Sequence, residues 1–118
     1  MATTEMTLTA SLNDASPLKG EHAWEYREAL TGSTAGSDSI LIPYGVSKIG
    51  IQLVVSASGT AKVQRSVDLI SNIQASTNSW IDWTEGDITS STITSFTMCT
   101  AVRQVNATGT SVLTVRCQ

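Results

Sequence analysis

Apolar and polar residues alternate most regularly between residues 46 and 68, on both sides of a turn-like segment at 56–60. The apolar positions of one parity are Ile49, Ile51, Leu53, Val55, Ala61, Val63 and Val67. A period of two is typical of a β-strand with one buried face. We therefore predict a β-hairpin with its turn centred on Ser58, which places Leu53 opposite Val63. A slip of one residue would expose both apolar rows.

Other parts of the chain carry weaker patterns of the same kind. Residues 6–12 alternate and predict a short strand. Residues 21–30 fit a helix or a strand, but helical spacing would stack Glu21 on Glu25, so we predict a strand. Residues 40–42 predict a brief strand that ends before Pro43 or lies at a sheet edge. Residues 69–79 have the spacing of one helical turn, and residues 100–117 predict a final hairpin.

Seven or eight short strands separated by turn residues are typical of an all-β fold. We predict a single-domain antiparallel β-sandwich, jelly-roll-like, that spans residues 21–118. Residues 1–20 are predicted as an N-terminal strand or arm, which either lies on a neighbouring subunit or is free in solvent. The sequence leaves these alternatives open.

The composition is informative mainly because charged residues are scarce. Only 14% of the 118 residues are charged, whereas 17 are Thr and 16 are Ser. This predicts hydroxyl-rich strand surfaces that pack against neighbours. The net charge is −3 and no run of Lys or Arg occurs, so a nucleic-acid partner is not expected. No segment has the length of a membrane span and the first residues do not resemble a signal peptide, which predicts a soluble protein made in the cytoplasm.

Few residues carry recognisable chemistry. The single histidine, His22, has no partner in a catalytic pattern, and no nucleotide-binding or hydrolase motif is present. We expect no enzyme activity and no cofactor. Asp82, Glu85 and Asp87 surround Gly86 but lack the order of a calcium loop, so a solvated acidic turn is favoured over a metal site.

Three residues raise further alternatives. Asn106 begins an Asn-Ala-Thr glycosylation motif, which is more simply read as the turn of the last hairpin. Cys99 and Cys117 would face each other only with a three-residue turn in that hairpin. Because cytosolic thiols stay reduced, we favour two free, partly buried cysteines over a disulfide.

The few aromatic residues could serve either in binding or in the core. Trp24, Tyr26, Trp80 and Trp83 would form either a sugar-stacking platform or part of the core, and the core is favoured. Trp80 and Trp83 do not share a strict strand face, so one is expected in the core and the other against a loop or a partner. Together with Met6 and Leu8, they are the candidate partner-contact residues.

About the last two thirds of the chain, from Tyr44 onward, resembles a known class of proteins. The segments PYGVSKIGIQLVV, SGTAKVQRSVD, WIDWTEGD and TAVRQVNATGTSVLTVR are similar in style to small virion proteins of tailed bacteriophages. The resemblance implies a jelly-roll-like sandwich displayed as a trimer or dimer on the capsid or in the tail. We expect a capsid decoration, or cement, protein that binds major capsid subunits and itself on the virion surface. A tail or adhesion component and a carbohydrate-binding module are the alternatives.

Overall fold

The strands and the single helix occupy most of the described chain. The computed structural model describes residues 3–5, 7–8, 24–31, 39–43, 46 and 48–117. The strands are β1 (Thr3–Glu5), β2 (Thr7–Leu8), β3 (Trp24–Thr31), β4 (Ser39–Leu41), β5 (Ile49–Val55), β6 (Thr60–Ser66), β7 (Ile81–Asp82), β8 (Thr92–Phe96), β9 (Ala101–Thr108) and β10 (Thr110–Cys117). Helix α1 (Ile70–Gln74) lies between β6 and β7. The predicted all-β class is confirmed.

The strands form two five-stranded sheets. Sheet 1 has the order β1-β4-β9-β6-β7 and sheet 2 the order β2-β3-β10-β5-β8. All neighbours are antiparallel except β1 and β4. The pairs β3–β10, β4–β9, β5–β8 and β6–β7 are nested, as if one long hairpin had been rolled up. This is the strand order of a jelly roll, so the predicted sandwich and its jelly-roll character are confirmed.

The predicted central hairpin is wrong, although its two strands exist. Strands β5 and β6 belong to different sheets, and Leu53 pairs with Leu113 and Thr92 rather than with Val63. Val63 instead pairs with Gln104. The 56–59 turn therefore carries the chain from one sheet to the other. The predicted final hairpin is wrong for the same reason, because β9 lies in sheet 1 and β10 in sheet 2.

The alternating pattern does identify the buried face. Apolar side chains from the inner faces of both sheets fill the space between them, as expected for a sandwich. The core includes Ile40, Ile49, Ile51, Leu53, Ala61, Val63, Trp83, Phe96, Val102, Leu113 and Val115. Val67, which shares the parity of this row, lies beyond the end of β6 and is 65% exposed.

The smaller elements follow their sequence signals. Strand β3 confirms the choice of strand over helix for 21–30 within its described part, and β4 ends before Pro43. Helix α1 confirms the helical turn, and its Ile73 packs on Leu41 and Ala101 at the outer face of sheet 1. Arg65 of β6 lies over the Phe96 ring of β8, 4.8 Å from the ring centroid.

The N-terminal segment contributes a strand to each sheet. Strand β1 pairs in parallel with β4, and β2 pairs with β3, so each extends one sheet at its edge. The described residues of the predicted arm therefore pair within their own chain. The rest of residues 1–20 lies outside the described residues.

Candidate interaction surfaces

Exposed apolar side chains gather at one end of the sandwich. The connections β6–β7 and β8–β9 meet there, since Thr100 donates its backbone N–H to the Ser66 carbonyl at 2.8 Å. Four residues of these connections are exposed by 47–81%, namely Val67, Leu69, Ile70 and Met98. We call these four residues the apolar end. Exposed apolar groups that cluster in this way are a common feature of interaction surfaces.

A cavity opens beside the apolar end. It measures about 300 Å³ and is bordered by Ile42, Pro43, Val46, Ile70 and Met98. Its base includes the buried thiol of Cys99. The lining is therefore almost entirely apolar, which suits an apolar side chain from a partner rather than a charged one.

A second depression crosses the outer face of sheet 2. Its floor is Gly50, which has no side chain to fill the space between Arg116 on β10 and Ser95 on β8. A cavity of about 660 Å³ is bordered here by Lys48, Ser95, Thr97 and Arg116. A neighbouring cavity of about 300 Å³ shares Gly50 and Arg116 with it. The two cavities adjoin at Gly50 and Arg116, and we call them together the sheet 2 groove.

The sheet 2 groove is cationic. Lys48 and Arg116 border the larger cavity, and Arg27 and Glu25 border the smaller one together with Arg116. Arg27 donates from Nε to the Thr114 hydroxyl at 3.3 Å. In the part of the chain that the structure describes, the only ion pair is Lys62–Asp82, so none of these three cations is neutralised by a salt bridge there. An excess of positive charge thus faces solvent in a chain of net charge −3.

The outer face of sheet 1 carries a polar network instead of a groove. Arg103 stacks on Trp80 at 4.4 Å from the ring centroid and donates from Nε to Gln64 at 2.8 Å. Gln64 and Lys62 donate to the two oxygens of Asp82 at 2.8 and 3.1 Å. These hydrogen bonds from Gln64 and then Lys62 lower the pKa of Asp82. Both carboxylate oxygens of Asp82 and the side-chain amide of Gln64 are thus engaged within the network, which leaves less for a ligand.

The four aromatic residues considered for a sugar platform do not share a surface. Trp83 is 2% exposed and belongs to the core, as the prediction of one core tryptophan required. Trp24 and Tyr26 pack against the same core from β3. Trp80 packs on the cluster beneath α1 and is covered by Arg103. These residues therefore do not form a common platform for a sugar ring.

The candidate partner-contact residues have different outcomes. The inclusion of Trp83 is corrected, because a buried indole offers no surface to a partner. Trp80 is half-buried on the outer face of sheet 1. Leu8 lies in β2, and Met6, like His22, lies outside the described residues. The apolar end and the sheet 2 groove escaped the sequence analysis because residues far apart in the chain build them.

The Asn106 motif is closed to modification in the folded chain. Asn106 is 1% exposed, and its Nδ2 donates to the Leu30 carbonyl and to the Ser111 hydroxyl, both at 3.0 Å. Ser111 in turn donates to Gln104 at 2.6 Å, and Gln104 donates to the Glu28 carbonyl at 3.1 Å. These residues form a buried polar cluster that ties β9 and β10 to β3.

Both cysteines are buried and neither forms a disulfide, as favoured from the sequence. Burial raises the pKa of the Cys99 thiol to about 11 and that of Cys117 to about 12. Because the thiolate is the reactive form, neither residue is suited to nucleophilic chemistry near neutral pH.

The acidic turn is exposed and is hydrogen-bonded to Trp83. Glu85 and Asp87 are exposed, and between them Gly86 adopts a φ of 63°. Trp83 holds the turn, because its backbone carbonyl accepts from the Gly86 N–H at 3.1 Å and its indole donates to the Gly86 carbonyl. Among the described residues, no three His, Cys, Asp or Glu side chains are grouped as metal ligands would be.

None of the helical residues described here forms a helix of the length and apolarity required to cross a bilayer. Comparisons with family models, with curated proteins and with solved structures find no match.

Proposed function

We propose that this chain is a structural protein of a bacteriophage virion that decorates the capsid and stabilises the head by binding across major capsid subunits. The apolar end carries this proposal, since Leu69 and Met98 are 73% and 81% exposed on a folded sandwich. Large apolar side chains at such exposure favour burial against a protein partner.

The organisation of the fold supports a role in which the sandwich itself is the functional unit. The jelly roll is held by strand pairing along its length, and the apolar end projects from connections at one end of it. A low charge density reduces the cost of removing water from such a surface on docking. On a symmetric shell, many copies of one modest contact add up to stable attachment.

The first test locates the protein on particles. Purified particles of the phage that encodes the chain are analysed by mass spectrometry and by cryo-electron microscopy. We expect many copies per particle and density that repeats over the head surface. Absence from the particles would refute the proposal, and density at a single vertex would assign the chain to the tail instead.

The second test addresses the apolar end directly. The purified chain is added to particles produced without it, and the bound fraction is measured by co-sedimentation. We expect Leu69→Ser with Met98→Ser to lower binding at least about tenfold, since about 3 kcal/mol of apolar burial would be lost. Ile93→Ser is the control, because Ile93 is 77% exposed but lies within β8, on the outer face of sheet 2. Equal binding by all variants would exclude the apolar end as the contact.

A further inference from the structure

The sheet 2 groove has the features of a binding site for negative charge. Lys48 and Arg116 both border the cavity over Gly50, and Arg27 borders the adjoining cavity. Glu25 is the one acidic residue that borders it. The groove thus has two more positive than negative side chains, and within the described chain none of them is in an ion pair.

The same chain carries a pair of exposed carboxylates, of opposite charge to the groove, on a different part of its surface. Glu85 and Asp87 project from the β7–β8 connection, whereas Lys48 and Arg116 lie near the start of β5 and the end of β10. Because Trp83 fixes the turn between the two carboxylates, little conformational entropy would be lost when it docks. Asp82 is already engaged by Lys62 and Gln64, so it is not part of this presented pair.

We infer that the sheet 2 groove of one copy binds the Glu85–Asp87 turn of a second copy. The two carboxylates meet the two uncompensated cationic charges, and the absent side chain at Gly50 gives the turn room to approach the sheet. Because groove and turn are different surfaces, the contact either forms twice across a two-fold axis or repeats around a ring or along a chain. The inference is independent of the proposed location on a virion.

Charge-reversal variants and sedimentation velocity test the inference. At low salt, the native chain is expected to associate as its concentration is raised to about 1 mM. It is expected to dissociate at about 500 mM salt, where exposed charges are screened. Lys48→Glu with Arg116→Glu is expected to weaken association at least about tenfold, and Glu85→Lys with Asp87→Lys to do the same. All four positions are exposed, so the folded state should persist, as checked by thermal melting.

A mixing experiment separates this contact from a general effect of charge. The two reversed variants, each defective alone, are expected to associate with each other, because the acidic groove of one meets the basic turn of the other. Asn72→Glu with Gln74→Glu changes the charge on exposed positions of α1 and should leave association unchanged. A native chain that is monomeric at every concentration, or reversed variants that associate normally, would overturn the inference.

A neutral variant tests the shape of the groove. A Cβ at Gly50 would lie 3.6 Å from the Arg116 carbonyl, which is ordinary contact, so Gly50→Val should fold. Its side chain fills the floor without altering any charge, and we expect it to weaken association at least about tenfold. Unchanged association of folded Gly50→Val would contradict docking in the groove.

Discussion

The buried hydroxyl of Ser111 offers the sharpest test of how β9 and β10 are held together across the two sheets. Ser111 is 0% exposed, donates to Gln104 at 2.6 Å and accepts from Asn106 at 3.0 Å. Ser111→Ala removes both hydrogen bonds and adds no bulk. The two partners stay buried, so neither gains water in exchange for the lost contact.

The cost follows from the two bonds and from the burial of their partners. A typical hydrogen bond contributes about 1 kcal/mol net, and a buried group left without its partner costs about 1–3 kcal/mol. Asn106 keeps its second bond, from Nδ2 to the Leu30 carbonyl, which limits the loss. We therefore expect Ser111→Ala to lower the free energy of unfolding by about 2 kcal/mol. For a chain of 118 residues this corresponds to a Tm lower by about 6–10 °C.

Urea denaturation followed by tryptophan fluorescence measures this difference, and the unchanged slope against urea would show that the unfolded state is unaffected. Ser95→Ala is the matched control, since Ser95 is an exposed strand serine on the outer face of sheet 2. We expect it to change the free energy of unfolding by less than about 0.5 kcal/mol. If both variants lose the same small amount, the buried polar cluster does not stabilise the sandwich as reasoned.

Three other tests of the fold use a turn glycine, a pair of leucines and the two thiols. Gly109→Ala should cost about 1–3 kcal/mol in urea denaturation, because φ is +72° there and the added carbon would lie 2.6 Å from a side chain of the adjoining turn; a neutral effect would contradict the close approach. Leu113→Ala should cost about 2–5 kcal/mol and Leu69→Ala less than about 0.5 kcal/mol, as they are 0% and 73% exposed; similar losses would argue against the packing described. Cys99 and Cys117 should react with a thiol reagent at pH 8 only after unfolding. Rapid labelling of the native chain would contradict their burial. The pKa values of these thiols are raised to about 11 and about 12 from an ordinary 9.0, so they favour the folded state below pH 9. The free energy of unfolding should therefore decline as pH rises from 9 through those values.

The candidate surfaces show why function is harder to read from this sequence than fold. Leu69 and Met98 are 29 positions apart yet belong to the same end, and Arg27 and Arg116 border the same cavity only because β3 and β10 are neighbours. Neither set forms a local motif. The Asn106 motif is local, but its asparagine is buried, so the motif alone gave a misleading signal.

The sequence by itself determined the strands and their buried faces. The alternation at Ile49, Ile51 and Leu53 requires one side of β5 to leave water, and that side is in the core. The sequence did not determine which strands would pair. Backbone N–H and C=O groups are alike along the strands, so their hydrogen bonds do not discriminate between one neighbouring strand and another. The tertiary structure decided that β5 and β6 separate into opposite sheets, since two facing apolar rows are buried as well across a sandwich as side by side in a hairpin.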